Sequence, residues 1–324
     1  MSENPMLQAS ENPLELAHGF FQAQRPASWA PAYLDGRGFP EPVQRRFELG
    51  YAPPGWHTLT ERLLGQGVHE NRLIALGLAR RSRHGRLYDF FRDRIMFPVR
   101  DRHGSLAGFI GRTADGVGGP RYLNSPDSAV FHKGSLLYSP DKGPRGRSVV
   151  VEGPLDAIAV RLAGFRALAP CGTRLTEEQT ELLGDLGDDV LLALDGDFSG
   201  RRGTVQAWQH LSHLRGPVHA VLLPEGEDPA ALFAKGGPEA VRAALAHEHL
   251  LVDLVLDSVL EHRSLRFVDE RVAAAHAAAG LIAALPPEQV ARQVSRTAAR
   301  LGFDPSDITS YVIAALSARM TRRF

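Results

Sequence analysis

The stretch from residue 149 to 223 constrains this chain more than any other. Short apolar runs at 149–151, 167–169, 190–194 and 218–223 alternate with amphipathic segments at 155–163, 177–186 and 203–214. Apolar runs of this length separated by helical segments predict strands of a parallel sheet joined by crossover helices. Ligands of open α/β sheets bind outside the carboxyl ends of the strands. Carboxylates stand at three of those ends: Glu152, then Asp195 with Asp197, then Glu225, Glu227 and Asp228. An α/β fold with a parallel-sheet domain at its centre is expected.

Glu152 and Asp156 in EGPLD are four residues apart across a strand-to-helix turn, which lets both face one crevice. Gly196 between Asp195 and Asp197 permits a tight turn that a side chain would strain. Carboxylates that converge without basic partners repel one another, and a hard divalent cation such as Mg²⁺, which prefers oxygen ligands, relieves that repulsion. Two such ions clamp the attacking and leaving oxygens in phosphoryl transfer. Taken singly, Asp-Gly-Asp is equally a hairpin turn and Glu152 equally a helix-start residue favoured by the dipole. Their order along the chain favours the metal reading.

Elsewhere, the first dozen residues lack apolar periodicity and are expected to be a mobile tail. Segments 13–24 and 43–49 read as short helices and 62–78 as a longer one, while 95–99, 106–111 and 136–138 read as strands. The Gly- and Pro-rich stretch 139–147 marks a boundary, and beyond Pro238 helical periodicity runs to the end with breaks near 263, 286–287 and 302–305. The formal net charge is zero, so any polyanion partner must be read from charge distribution. Arginines are dense between Arg80 and Arg112; within that stretch the run Arg80 to Arg86 reads as a solvated surface. The single cysteine, Cys171, excludes an internal disulfide and thiol-rich zinc sites, and it reads as a buried small residue. No apolar run is long enough to cross a bilayer, so no membrane partner and a cytoplasmic location are expected.

Glu152-Gly153 and Asp195-Gly196-Asp197 resemble the signature of the TOPRIM domain. FRDRIMFPVRD (91–101), GFIGR (108–112), RYLNSP (121–126), FHKG (131–134) and LPEGEDP (223–229) resemble the bacterial DnaG-type DNA primases, over roughly residues 13 to 315. The resemblance implies a primase catalytic core, a DNA-directed RNA polymerase that makes short RNA primers on single-stranded DNA from ribonucleoside triphosphates with Mg²⁺ or Mn²⁺, two or more ions, and no zinc. It implies a tail at 1–12, a basic template-binding subdomain at 13–146, a TOPRIM subdomain at 147–240 and a helical subdomain at 241–324. It places metal on Glu152, Asp195, Asp197 and Asp228, catalysis on Glu152, Asp156, Asp195 and Asp197, and template or nucleotide contacts on Arg92, Arg94, Arg112, Arg121, Tyr122, Asn124 and Lys133. The family's zinc-binding and helicase-binding domains have no counterpart in the sequence, which suggests a primase of a plasmid, phage or mobile element, or one served by a replicative helicase or separate recognition subunit.

Departures bear on that reading. Arg121 replaces the family's lysine, Pro154 an aromatic residue, and Ala230 stands where a second carboxylate would follow Asp228. A TOPRIM nuclease and a catalytically weak single-strand-binding accessory protein remain the alternatives.

Overall fold

The computed structural model describes residues 12–172, 174–187, 189–194, 211, 214, 218–261 and 265–321. The turn expected at Asp195 and Asp197, the expected tail apart from Asn12, and most of the helix expected at 203–214 lie outside these residues. The described chain is α/β, as expected, and forms two compact units.

The first unit takes in Met1–Pro144, Val151–Thr173 and Pro229–Val241. It opens with α1 (Pro13–Gln24), started by the Asn12 side chain, which accepts from Leu14 N at 3.1 Å, and by proline at the first position. Then come α2 (Ala30–Asp35), α3 (Glu41–Arg46), β1 (Gly50–Ala52), α4 (Thr58–Gly65) and α5 (Glu70–Ala75). The single helix expected over 62–78 is two, because Gly67 takes φ +85° and ends the first. The helix expected at 43–49 begins earlier, after Pro40, and stops before Phe47; Glu48 at φ +56° cannot continue it. The buried side of α4 is fixed by Asp89, whose carboxylate accepts from Leu59 N, Thr60 N and Thr60 Oγ1.

β2 (Ala79–Arg81) and β3 (Leu87–Asp89) form a hairpin of their own. β4 (Arg94–Arg100), β5 (Leu106–Arg112) and β6 (Tyr122–Asn124) join β1 in an antiparallel sheet of order β1-β4-β5-β6. Phe109 of β5 is fully buried and meets the rings of Phe21 and Phe91 edge-on, at 5.3 and 6.3 Å. β1 runs so close to α1 that a Cβ on Gly50 would sit 2.6 Å from Phe21 Cβ and 2.9 Å from the Phe21 carbonyl carbon. Gly50→Ala is therefore expected to lower stability by about 2 kcal/mol, as overpacking does, read as an earlier urea midpoint with unchanged slope. β7 (Leu137–Tyr138), β8 (Arg147–Val150), α6 (Pro154–Leu162) and β9 (Arg166–Pro170) follow along the chain; β7 and β9 pair antiparallel within this unit.

The second unit takes in Arg145–Val150, Arg174–Asp228 and Arg242–Phe324. It contains α7 (Glu177–Leu186), which starts on a reciprocal Thr176–Gln179 capping box and ends at left-handed Gly187. β8, β10 (Asp189–Leu194) and β11 (Val218–Leu222) pair in parallel, Val150 opposite Leu192 and Leu192 opposite Ala220. Their near-continuous burial through Val149, Leu191, Leu192 and Ala220 is the pattern of a parallel sheet. α8 (Pro229–Leu245), which belongs to the first unit as far as Val241, changes direction at Gly236 and Gly237, just before Pro238. After it, β12 (His249–Leu250) adds antiparallel to β11, and α9 (Leu251–Glu261), α10 (Val268–Ile282), α11 (Pro287–Leu301) and α12 (Pro305–Thr321) complete the helical end. Arg292 holds Asp253 through both carboxylate oxygens, at 3.0 and 2.7 Å, and Arg296 holds Asp257, which tie α11 to α9.

Candidate catalytic and nucleic-acid-binding site

The acidic turn follows β8. Pro154 opens α6 at a position where a proline lacks nothing, since the first amides of a helix have no intrahelical acceptor. Glu152 is exposed just ahead of it, whereas Asp156, one turn in, is 8% exposed. A Cβ on Gly153 would stand 3.1 Å from Asp156 Oδ2 and 3.3 Å from the Tyr122 hydroxyl, so the turn, the aspartate and the tyrosine are closely set. Asp156 Oδ1 accepts from Ala230 N at 3.1 Å, in the first turn of α8, where a negative charge is favoured. Ala230, the position lacking a carboxylate, is itself 1% exposed and serves Asp156 through its amide. Asp228 is half-buried directly before α8. Among the described residues no three His, Cys, Asp or Glu side chains are grouped to hold a metal; Asp195 and Asp197 lie outside them.

Arg112 ends β5 and is 2% exposed. Its guanidinium lies over the Tyr33 ring at 4.7 Å and near the Tyr122 ring at 5.8 Å. Arg112 Nη2 donates to Asp115 Oδ1 at 3.0 Å, while Asp115 Oδ2 accepts from Arg37 Nη2 at 3.0 Å and from the Tyr33 hydroxyl at 3.1 Å. Among the described residues, Arg112 Nε and Nη1 are buried and have no hydrogen-bond acceptor. Burial works against the Arg112 charge, but Tyr122, Tyr33 and Asp115 together outweigh it and raise its pKa. Burial, and then the Asp156 carboxylate, raise that of Tyr122, so its hydroxyl keeps its proton.

The remaining expected residues divide by what they touch. Asn124 Nδ2 donates to the Cys171 carbonyl at 2.6 Å, a brace between β6 and the turn after β9. The Cys171 thiol is fully buried, and that burial pushes its pKa up to about 12, so it stays protonated and is no nucleophile. Arg121 and Lys133 are exposed. Arg94 donates to the carbonyls of Gly111, Pro120 and Arg121 at 3.1–3.3 Å, a structural use of its fork. Arg92, two residues away, instead lies over Trp56 at 4.1 Å and near Tyr88 at 5.5 Å. Asp93 between them takes φ +49° and accepts from Trp29 Nε1 at 2.7 Å and the Tyr51 hydroxyl at 2.6 Å. Trp56, 58% exposed, lines a hollow of about 370 Å³ with His57, Ser82, Arg86 and Tyr88.

The family described as "DNA primase catalytic core, N-terminal domain" matches residues 20–143, and the family described as "Toprim-like" matches 149–233. A crystal structure of a DNA primase domain from Pseudomonas aeruginosa is 31% identical with a TM-score of 0.81, covering 92% of this chain and 98% of that one. The chain belongs to the DnaG-type DNA primase catalytic-core family. A DnaG primase catalytic domain bound to single-stranded DNA is similar as well, with a TM-score of 0.79 and 32% identity over 91% of this chain and 96% of that one. The DNA primase of Deinococcus radiodurans is 40% identical over 235 residues, 70% of this chain and 41% of that protein. This chain thus spans less than half the length of the curated relatives it matches. Toprim-like domains and primases use divalent metal ions, and no helix among the described residues is long and apolar enough to cross a membrane.

Trp56, Tyr88, Tyr33, Arg37 and Asp115, which the structure gathers around Arg92 and Arg112, were not singled out from the sequence. One cue was present: Trp56 follows Pro53-Pro54-Gly55, a turn sequence that keeps a large ring out of a helix or strand.

Proposed function

We propose that this chain is the catalytic core of a DNA primase, which holds single-stranded DNA on its Trp56–Arg92 face and joins ribonucleotides beside Glu152, Asp195, Asp197 and Asp228. In this reading residues 13–146 hold the template, 147–240 carry the metal carboxylates and 241–324 form the helical part. The observation that carries it is the placement, in one unit, of a buried arginine with two donors lacking acceptors and a tyrosine set against the Glu152-to-Asp156 turn.

The donor chemistry suits Mg²⁺ or Mn²⁺, two or more ions: Glu152, Asp195, Asp197 and Asp228 offer only oxygen, and Glu152 reaches solvent. Bound there, such ions neutralise phosphate charge and polarise the transferred phosphoryl group. The protein's own groups do the rest. Arg112 Nε and Nη1 donate to a phosphate of the incoming ribonucleoside triphosphate, a geometry that lysine cannot supply. Tyr122, protonated, donates to the same ligand. Asp156 orients the Glu152 turn through its bond to α8. Arg121 and Lys133, both exposed, draw the polyanions in.

Incorporation of labelled ribonucleotides on single-stranded DNA tests this directly, with Asp195→Asn alongside the native chain. Short RNA from the native chain alone supports it. Template degradation would put a nuclease in its place, and binding without either reaction an accessory role. Trp56→Ala is expected to weaken single-strand binding by about 1–3 kcal/mol, the worth of one stacked base, as measured by fluorescence anisotropy; a native affinity would remove the Trp56 face from the template path.

A further inference from the structure

The β2–β3 hairpin carries the arginine run that reads from sequence as solvated surface. Its four arginines are not equivalent. Arg80 lies over the Phe90 ring at 4.5 Å, and Arg81 pairs with Glu70 at 2.8 Å while donating to the Gly85 carbonyl. The side chains of Arg83 and Arg86 have no ion pair or hydrogen bond among the described residues, and both are exposed. The turn that presents them is held: Ser82 N donates to Arg86 O at 2.8 Å, Arg86 N to Ser82 Oγ at 3.1 Å, and Gly85, at φ +81°, to Ser82 O at 3.0 Å.

Strand alternation sets where Arg86 faces. Arg80 is opposite Tyr88 and Arg81 opposite Leu87, so Arg86, two residues before Tyr88, shares the Tyr88 face. That face meets Trp56, whose ring lies edge-on to Tyr88 at 5.7 Å, and Arg86 lines the hollow beside them. Asp89, the sole acid in the segment from 79 to 89, is 2% exposed and occupied by the α4 amides, so nothing acidic on the hairpin opposes the two free arginines. An exposed aromatic ring beside one uncommitted cation, with a second on the adjoining turn, is the arrangement that takes a stacked base and its flanking phosphates.

We propose that the β2–β3 hairpin is a second phosphate-binding arm, in which Arg83 and Arg86 hold two backbone phosphates of the single strand whose base lies against Trp56. This rests on the reading of the Trp56–Arg92 face as a template surface.

The test follows affinity for an oligothymidylate against salt, using the full chain. Each phosphate contact to a single strand contributes about 0.7 to the slope of log affinity on log salt. The double variant Arg83→Ala/Arg86→Ala is expected to lower the slope by about 1.4 with an unchanged unfolding midpoint. Arg83→Lys/Arg86→Lys, which keeps both charges, and Arg81→Ala, whose partner is Glu70, are expected to retain the native slope. A native slope in the double alanine variant, or an equal drop in Arg81→Ala, overturns the arm. If that happens while Trp56→Ala still weakens binding, only the arm falls; if the native chain binds no single strand, the template reading falls with it.

Discussion

Replacing Glu152 with glutamine is expected to cut ribonucleotide incorporation about 10³-fold while leaving single-strand affinity and the unfolding midpoint near native. The substitution keeps the size of the side chain and one oxygen but removes the charge that a hard divalent ion needs. A bound ion contributes several kcal/mol to phosphoryl transfer, and each 1.36 kcal/mol is tenfold in rate. Stability should hold because Glu152 is exposed in its turn and packs into no core. Asp156→Asn makes the informative companion. Asparagine still accepts from Ala230 N, so if Asp156 positions rather than reacts, its loss stays well below that of Glu152→Gln. Incorporation by Glu152→Gln at a native rate would remove Glu152 from the metal set.

Elements whose signals are local were legible in the sequence. The Asn12-Pro13 start of α1 and the Thr176–Gln179 box of α7 are side-chain caps, and both helices run where periodicity predicted. The strands β1, β6 and β12 have three residues or fewer, too short for any alternation to register, and went unseen. The arginine-dense stretch shows the limit in another form. Composition treats Arg92 and Arg94 alike, yet one lies over Trp56 and the other binds three carbonyls. The left-handed backbone of Asp93 separates them, and the donors of Trp29 and Tyr51 that hold its carboxylate are 64 and 42 residues away in sequence. The Asp115 clasp is similarly hard to see, because Arg112 is three residues away but Tyr33 and Arg37 reach it across 82 and 78 residues of sequence. The acidic motifs were legible because each is a short run of sequence.

Arg112→Lys is expected to reduce incorporation about 10²-fold, chiefly through a higher KM for the ribonucleotide. Lysine preserves one charge beside Asp115 but has neither the planar face that lies between Tyr33 and Tyr122 nor donors at the Nε and Nη1 positions. A hydrogen bond from a charged group contributes about 1.5–3 kcal/mol, so the loss of even one donor to a phosphate reaches that range of rate. The stability change should be smaller, about 1–2 kcal/mol, because Asp115 is half in solvent and keeps Arg37, leaving no buried carboxylate uncompensated. Asp115→Asn separates support from contact. It loosens the clasp while leaving the guanidinium and its two open donors in place, so its effect on KM should be the lesser of the two. If Asp115→Asn raised KM as much as Arg112→Lys, the arginine would serve only to hold the clasp, and the phosphate would have to be held elsewhere, by Arg121 and Lys133.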